Sequence, residues 1–196
     1  LDQENNRLFK VYNEKGYNNK EISSLIAKNM DIPSILKNAS MDWDGGYTMA
    51  GLIGHGDAFV LRDPNGIRPA FWYEDDEVLV VTSERPVIQT AFNVKWENVN
   101  ELKPGHALIV KKDFELKEVE INSPSNLQKC SFERIYFSRG TDKDIYKERL
   151  MLGSLVTPQV LEAVNFDLKR TVFSFIPNTA EMSYYGMIKA TEDYLS

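Results

Sequence analysis

Between Thr48 and Glu84, short β-favouring runs alternate with clusters of turn residues, and this alternation constrains the fold more than any other stretch of the chain. The runs are Thr48 to Ile53, Ala58 to Leu61, Phe71 to Tyr73 and Val78 to Thr82. Between them lie Gly54-His55-Gly56-Asp57, Arg62-Asp63-Pro64-Asn65-Gly66 and Glu74-Asp75-Asp76. Proline presets φ at a turn's first central position and Asn or Gly takes the left-handed conformer, so the chain should reverse at Pro64-Asn65-Gly66. The whole stretch therefore reads as an antiparallel meander. Arg62 and Arg68 flank its central turn, and they are expected to be structural, with guanidinium groups on backbone carbonyls or on acidic partners such as Asp63 or Glu84.

Helical spacing brackets this region. Ile22, Leu25, Ile26 and Met30 mark one amphipathic helix over 19–30, and a short second helix should start at Pro33 with Asp31 near its cap. Leu1 to Asn19 is polar and carries no start signal. Ser83-Glu84-Arg85-Pro86 has a cap residue and an early proline, which predicts a helix packed through Val87, Ile88 and Ala91. Pro104-Gly105 suits a type II turn, and His106 to Val110 with Leu116 to Ile121 reads as another hairpin.

Asn122 to Asn126 is the best linker candidate. Past it, Phe132 to Ser138 is strand-like, and apolar residues from Ile145 through Leu150, Met151, Leu155, Val160 and Leu161 to Val164 predict a long helix, with Thr157-Pro158 as the place for an interruption. Thr171 to Ile176 then reads as a strand, Pro177 to Ala180 as a loop and Glu181 to Tyr194 as a helix, the order expected at the start of a parallel α/β unit.

With 42% apolar residues the chain has material for a core, and a net charge of −6 argues against nonspecific nucleic-acid binding. No apolar run reaches the roughly 20 residues of a membrane span, so a cytoplasmic protein that engages neither nucleic acid nor membrane is expected. Cys130 is the one cysteine, which leaves no intrachain disulfide and no complete cysteine metal site. Beside apolar neighbours it reads as a packed thiol.

The wording Arg62-Asp63-Pro64-Asn65-Gly66-Ile67-Arg68-Pro69, followed by Ser83-Glu84, resembles the glutamine-hydrolysing half of amidophosphoribosyltransferases, in the class II glutamine amidotransferase family. The resemblance continues through Glu101-Leu-Lys-Pro-Gly-His-Ala107 and Cys130-Ser-Phe-Glu-Arg-Ile-Tyr-Phe-Ser-Arg139, and more faintly through Phe175-Ile-Pro-Asn-Thr-Ala180. It implies an α+β fold with an α/β tail. Residues 1–126 would be the C-terminal part of an N-terminal-nucleophile αββα glutaminase domain, and 127–196 the start of a type I phosphoribosyltransferase domain.

The family's reaction joins nitrogen from glutamine to phosphoribosyl pyrophosphate, and its nucleophile is an N-terminal cysteine activated by its own α-amine. Here residue 1 is Leu, so the chain is expected to be an inactive internal piece of such an enzyme. By resemblance, Asn178, Thr179 and Ala180 match the substrate-binding loop, and Thr179 the hydroxyl at a Mg²⁺-diphosphate site. On the residues alone, Pro177 to Ala180 is a strand-to-helix turn with Thr179 as cap.

Cys130 matches a position from which some relatives ligate a [4Fe-4S] cluster. A cluster takes about four thiolates, so none is expected in this chain. Arg139 is retained where relatives read Ala/Ser-Arg-Pro-Asp-Ser, but Gly140 stands in place of the proline. The resemblance is compatible with a homo-oligomer. The reading of a different class is a non-catalytic amidotransferase-like scaffold that binds a partner or metabolite through Phe71-Trp72-Tyr73.

Overall fold

The computed structural model describes residues 1–196. It is a mixed helix-and-sheet protein that divides into two compact units: Leu1–Ser83 with Asn100–Lys129, and Glu84–Val99 with Cys130–Ser196.

The first unit begins with three helices, α1 (Asp2–Glu14), α2 (Asn19–Asn29) and α3 (Ile32–Ser40). Asn18 and Glu21 form a reciprocal capping box that fixes the start of α2, and Asp31 caps α3 by accepting the Ser34 amide at 3.1 Å. Strands β1 (Thr48–Leu52) and β2 (Ala58–Arg62) pair antiparallel, as do β6 (His106–Val110) and β7 (Leu116–Glu120). Between these hairpins in the chain come β3 (Phe71–Glu74), β4 (Leu79–Thr82) and the short β5 (Asn100–Glu101).

The meander expected from 48–84 is corrected here: β2 does not pair with β3. One sheet runs β1-β2-β6-β7 and the other β4-β3-β5. The Pro64-Asn65-Gly66 turn thus carries the chain from one sheet to the other.

Period-two alternation explains the layering. Leu61, Ala107 and Ile109 face Leu8, Ile22, Ile26, Met30, Ile32 and Leu36 of the helices. Their neighbours Val60 and Leu108 point the other way, against Ala70, Trp72, Val81 and Leu102 of the second sheet. The unit is therefore a helix, sheet, sheet stack with two cores. Leu8 is the one buried residue of α1, which is why polar Leu1 to Asn19 gave no apolar stripe to read.

In the second unit, α4 (Arg85–Phe92) buries Pro86 and Ile88, while Val87 and Ala91 face outward, contrary to the expected face. Glu133–Phe137, expected as a strand, is a π-helical turn. Then come α5 (Lys143–Ala163) and α6 (Glu181–Leu195). α5 runs unbroken past Pro158, and its buried positions are Ile145, Arg149, Gly153, Thr157 and Leu161, spaced by four. Met151 and Leu155, expected inside, are 59% and 68% exposed.

The reason lies in the helix crossing. A Cβ on Gly153 would stand 1.8 Å from the Ser183 carbonyl oxygen, and one on Gly186 2.0 Å from that of Leu150, so backbone meets backbone and only glycine fits. Thr171 to Ile176, expected as a strand, joins no sheet, so the expected parallel α/β unit is not formed within these residues.

Candidate functional site

Two constellations gather the residues singled out by sequence. The first surrounds the turn after β2. The Asp63 carboxylate accepts the amides of Asn65, Ile67 and Arg68 at 3.1, 2.9 and 3.0 Å, and the Asp63 carbonyl accepts those of Gly66 and Gly105 at 3.2 and 3.0 Å. Gly66 has φ +64° and Gly105 φ +71°, the left-handed conformers their turns demand. Arg62 is 2% exposed and donates to the carbonyls of Arg68 (2.7 Å), Gly66 (3.3 Å) and Leu102 and to the Glu101 carboxylate (3.0 Å). Its acidic partner is thus Glu101 rather than Asp63.

Arg68 is exposed and contributes its amide and carbonyl to this network. Glu84 instead pairs with Arg139 at 2.5 Å in the second unit. The segment taken as a linker is pinned to the turn: Ser125 and Gln128 donate their amides to the carbonyls of Pro64 (3.0 Å) and Asn65 (2.8 Å). The Arg62 guanidinium and the Asp63 carboxylate are both turned toward main-chain groups of the fold, so the constellation holds structure.

The second constellation is an open groove of about 730 Å³ in the second unit. Ser138, Gly140 and Thr141 form one wall, Lys143, Tyr146, Lys147 and Arg149 of α5 another, and Asn178, Thr179, Glu181 and Met182 at the start of α6 the third. The α5 start is fixed by Asp142, which accepts the amides of Asp144 (2.9 Å) and Ile145 (3.3 Å), and Arg85 reaches Asp144 at 3.2 Å. Lys143 Nζ lies 4.4 Å above the Trp96 ring.

Arg149 is 5% exposed. It donates to the Arg134 carbonyl (3.0 Å) and the Ser138 carbonyl (2.6 Å), and burial lowers the pKa of its guanidinium below the usual arginine value. No carboxylate pairs with it.

α6 begins at Ala180 with no side-chain cap, so Thr179 is not the cap expected from the residues alone. The Glu181 amide reaches the Asn178 carbonyl at 3.4 Å, and those of Met182 and Ser183 are left without backbone partners. Three cationic side chains and an uncapped helix start therefore face one groove that holds a single carboxylate, Glu181. Such a donor set suits an anion. It does not fit a bare Mg²⁺, which takes about six oxygens, and no three His, Cys, Asp or Glu side chains stand together as a metal site.

Sequence reasoning found Asn178 and Thr179 but missed Lys143, Lys147 and Arg149. A Lys-x-x-x-Lys spacing at a helix start was the available signal. Cys130 is half-buried rather than packed away, and it is the chain's one thiol, short of the four a cluster needs. Trp72 packs in the second core, with Phe71 and Tyr73 half-buried beside it, so the aromatic strand does not present itself as a free binding face. No helix is long and apolar enough to cross a membrane.

No family model matches the chain. It is 31% identical over 163 residues to the amidophosphoribosyltransferase of Lachancea kluyveri, a match covering 78% of this chain and 31% of that protein. It is 33% identical over 132 residues to that of Pasteurella multocida and 32% over 129 residues to that of Saccharomyces cerevisiae, with 63% and 60% of this chain and 25% of each relative covered. The chain thus spans about a third or less of the length of these relatives.

Among solved structures it is similar to glutamine phosphoribosylpyrophosphate amidotransferase from B. subtilis complexed with ADP and GMP. The TM-score is 0.61 at 22% identity, over 95% of this chain and 41% of that one. A structure described as the allosteric regulatory enzyme of purine biosynthesis gives 0.58 at 22% identity, over 94% and 40%. These structures share the fold.

Proposed function

We propose that this amidophosphoribosyltransferase-like chain corresponds to the stretch of such an enzyme that spans its two activities. Residues 1–126 would form the C-terminal part of an N-terminal-nucleophile αββα glutaminase domain, and 127–196 the opening of a type I phosphoribosyltransferase domain. The parent reaction would use ammonia from glutamine to displace diphosphate from phosphoribosyl pyrophosphate, giving 5-phosphoribosylamine. In this reading the groove receives the phosphate-bearing end of that substrate. The observation that carries it is the meeting of Asn178, Thr179 and the uncapped α6 start with Lys143, Lys147 and Arg149 in one cavity.

The roles follow from ordinary electrostatics. Free amides at the start of α6 donate to phosphate oxygens where the helix dipole favours negative charge. Lys143 and Lys147, on one face of α5, neutralise the anion as mobile point charges, and Arg149 holds the Arg134 and Ser138 carbonyls that shape the wall. Ammonia release is assigned to no residue here. Cys130 has no α-amine, His55 contacts Asp57 at 3.0 Å, and His106 contacts the Pro104 carbonyl at 2.9 Å. The 196-residue chain should therefore show no glutaminase or phosphoribosyl transfer.

Diphosphate should bind weakly, near the millimolar range or about 4 kcal/mol. Amide NMR of the chain with millimolar diphosphate tests this. Shifts confined to Thr179–Ser183 and the α5 start, lost together in Lys143→Gln/Lys147→Gln, are expected. Shifts absent there, or unchanged in the double variant, would refute the assignment. Glutamine-dependent ammonia release above the rate without protein would refute the inactivity.

A further inference from the structure

A glycine after Asp or Asn carries no side chain to shield its backbone nitrogen, so that nitrogen can close on the preceding side chain and form a five-membered imide. The chain has one Asp-Gly pair, Asp44-Gly45, and one Asn-Gly pair, Asn65-Gly66, both in the first unit. An amide side chain closes this ring more readily than a carboxyl group, so in an unstructured chain Asn65 would react first. The fold treats the two pairs in opposite ways.

Asp44 and Gly45 lie exposed between α3 and β1. The Gly45 N–H donates to Asp44 Oδ1 at 2.8 Å, so the nitrogen already lies against the group it would attack, and no main-chain carbonyl holds it. Gly45 has φ +85°, and nothing stands within 4 Å of where its Cβ would be, which leaves room for the dipeptide to turn.

Asn65-Gly66 is fastened instead. The Gly66 amide donates to the Asp63 carbonyl at 3.2 Å and the Asn65 amide to the Asp63 carboxylate at 3.1 Å. The Asn65 carbonyl accepts the Gln128 amide at 2.8 Å, and its Oδ1 accepts the Ser125 hydroxyl. Gly66 is buried, and a Cβ there would stand 2.7 Å from Leu127 Cδ1 and 2.9 Å from Pro104 Cγ. Ring closure has to swing the Gly66 nitrogen away from the Asp63 carbonyl and toward the Asn65 side chain. That motion requires the turn to open.

We infer that Asp44 is a site of spontaneous isoaspartate formation and that Asn65 is protected from deamidation, the reverse of the order set by their side-chain chemistry. From the protonated carboxyl, the N–Cγ bond forms, the Cγ–O bond breaks, and the hydroxyl leaves with the amide hydrogen as water. A water then opens the imide, and opening at the α-carbonyl routes the main chain through the β-carboxyl group. The added main-chain methylene falls next to Gly46, which packs so closely on Ile67 that a Cβ would stand 2.5 Å from Ile67 Cγ2. The change thus loosens the α3–β1 connection from the turn that holds Ile67. The product's free α-carboxylate is the group that an isoaspartyl carboxyl methyltransferase accepts. The inference is independent of the phosphate-binding reading.

Ageing the 196-residue chain at neutral pH for several weeks, folded and in urea, tests it. Isoaspartate is counted by methyl transfer from labelled S-adenosylmethionine and located by electron-transfer fragmentation of the peptides. In the folded chain it should accumulate at position 44 while Asn65 stays intact, and in urea Asn65 should deamidate at least tenfold faster than in the fold. Asp44→Asn places the same dipeptide at both sites of one chain, and the introduced amide should be lost at least tenfold faster than that of Asn65. Absence of isoaspartate at position 44 of the folded chain, equal loss at the two sites in Asp44→Asn, or an Asn65 that deamidates as fast folded as in urea would overturn the inference.

Discussion

Arg62 and Arg149 are both almost fully buried, and they are used in different ways. Arg62 spends its guanidinium on three carbonyls and the Glu101 carboxylate, so both its donors and its charge are answered within the first unit. Arg149 binds two carbonyls, has no carboxylate partner and lines a groove. The same contrast runs through the units that hold them. The first binds the main-chain groups of its Asp63 turn from several sides, between two sheets. The second sets the uncapped start of α6 against a groove and exposes much of the apolar surface of α5. The difference teaches that burial alone does not tell an arginine whose charge is answered within the fold from one whose charge is left beside a groove. The partners do.

The sharpest way to break this comparison is Arg62→Met, which leaves three carbonyls and Glu101 without their donor. A loss of about 3–5 kcal/mol in urea unfolding is expected, as when one partner of a buried pair is removed. Arg62→Lys should recover only part of it, because one ammonium cannot reach acceptors spread around a planar fork. In the second unit the equivalent blow falls on packing. Gly186→Ala drives a methyl into the Leu150 carbonyl and should cost about 2–3 kcal/mol, with loss of α-helical ellipticity on milder heating than the parent.

Arg149→Met should cost less, about 1–2 kcal/mol, since the two orphaned carbonyls are offset by relief of a buried, unpaired charge. If it equals Arg62→Met, the distinction between the two arginines fails.

The smallest effect is a pH dependence in the first unit. Asp57 is 1% exposed, and burial would raise its pKa, but hydrogen bonds from Lys111, His55 and the Lys112 amide outweigh burial and hold it below the ordinary value. A depressed carboxylate stabilises the fold above its unfolded pKa of about 4, and the contribution fades as pH falls through the folded value. Asp57→Asn should therefore be about 1–2 kcal/mol less stable at pH 7, with the gap to the parent closing below about pH 4. A constant gap from pH 7 to pH 3 would show that Asp57 acts only through shape.

The sequence was legible where local chemistry decides. Pro64, Asn65 and Gly66 announced a turn, Asp31 marked a helix start, and the apolar spacing of Ile22, Ile26 and Met30 gave a packed face. It misled where partners distant in sequence decide. Nothing in β2 says that it will pair with β6 rather than β3, because both choices satisfy the same alternation. In α5 the apolar pattern pointed to Met151 and Leu155, while the contact is made by Gly153, Thr157 and Gly186, small residues that carry little hydrophobic signal. The groove was half legible. Its loop was visible in Pro177 to Ala180, but Lys143 and Lys147 read as solvated charge until α6 is placed beside them.

The turn at Asp63 has a further consequence for the order in which the first unit assembles. Its local amides could close around Asp63 early, yet Arg62 finds Glu101 and Leu102 only 39 and 40 residues later, and Ser125 arrives some 60 residues downstream. Loop-closure entropy must be met before those bonds form, so contacts of this span belong to slow folding. Arg62→Met should accordingly speed unfolding far more than it slows refolding, whereas Asp63→Ala, which removes local bonds, should act on the refolding rate as well. The turn is where the chain bends first and the clasp that fastens last.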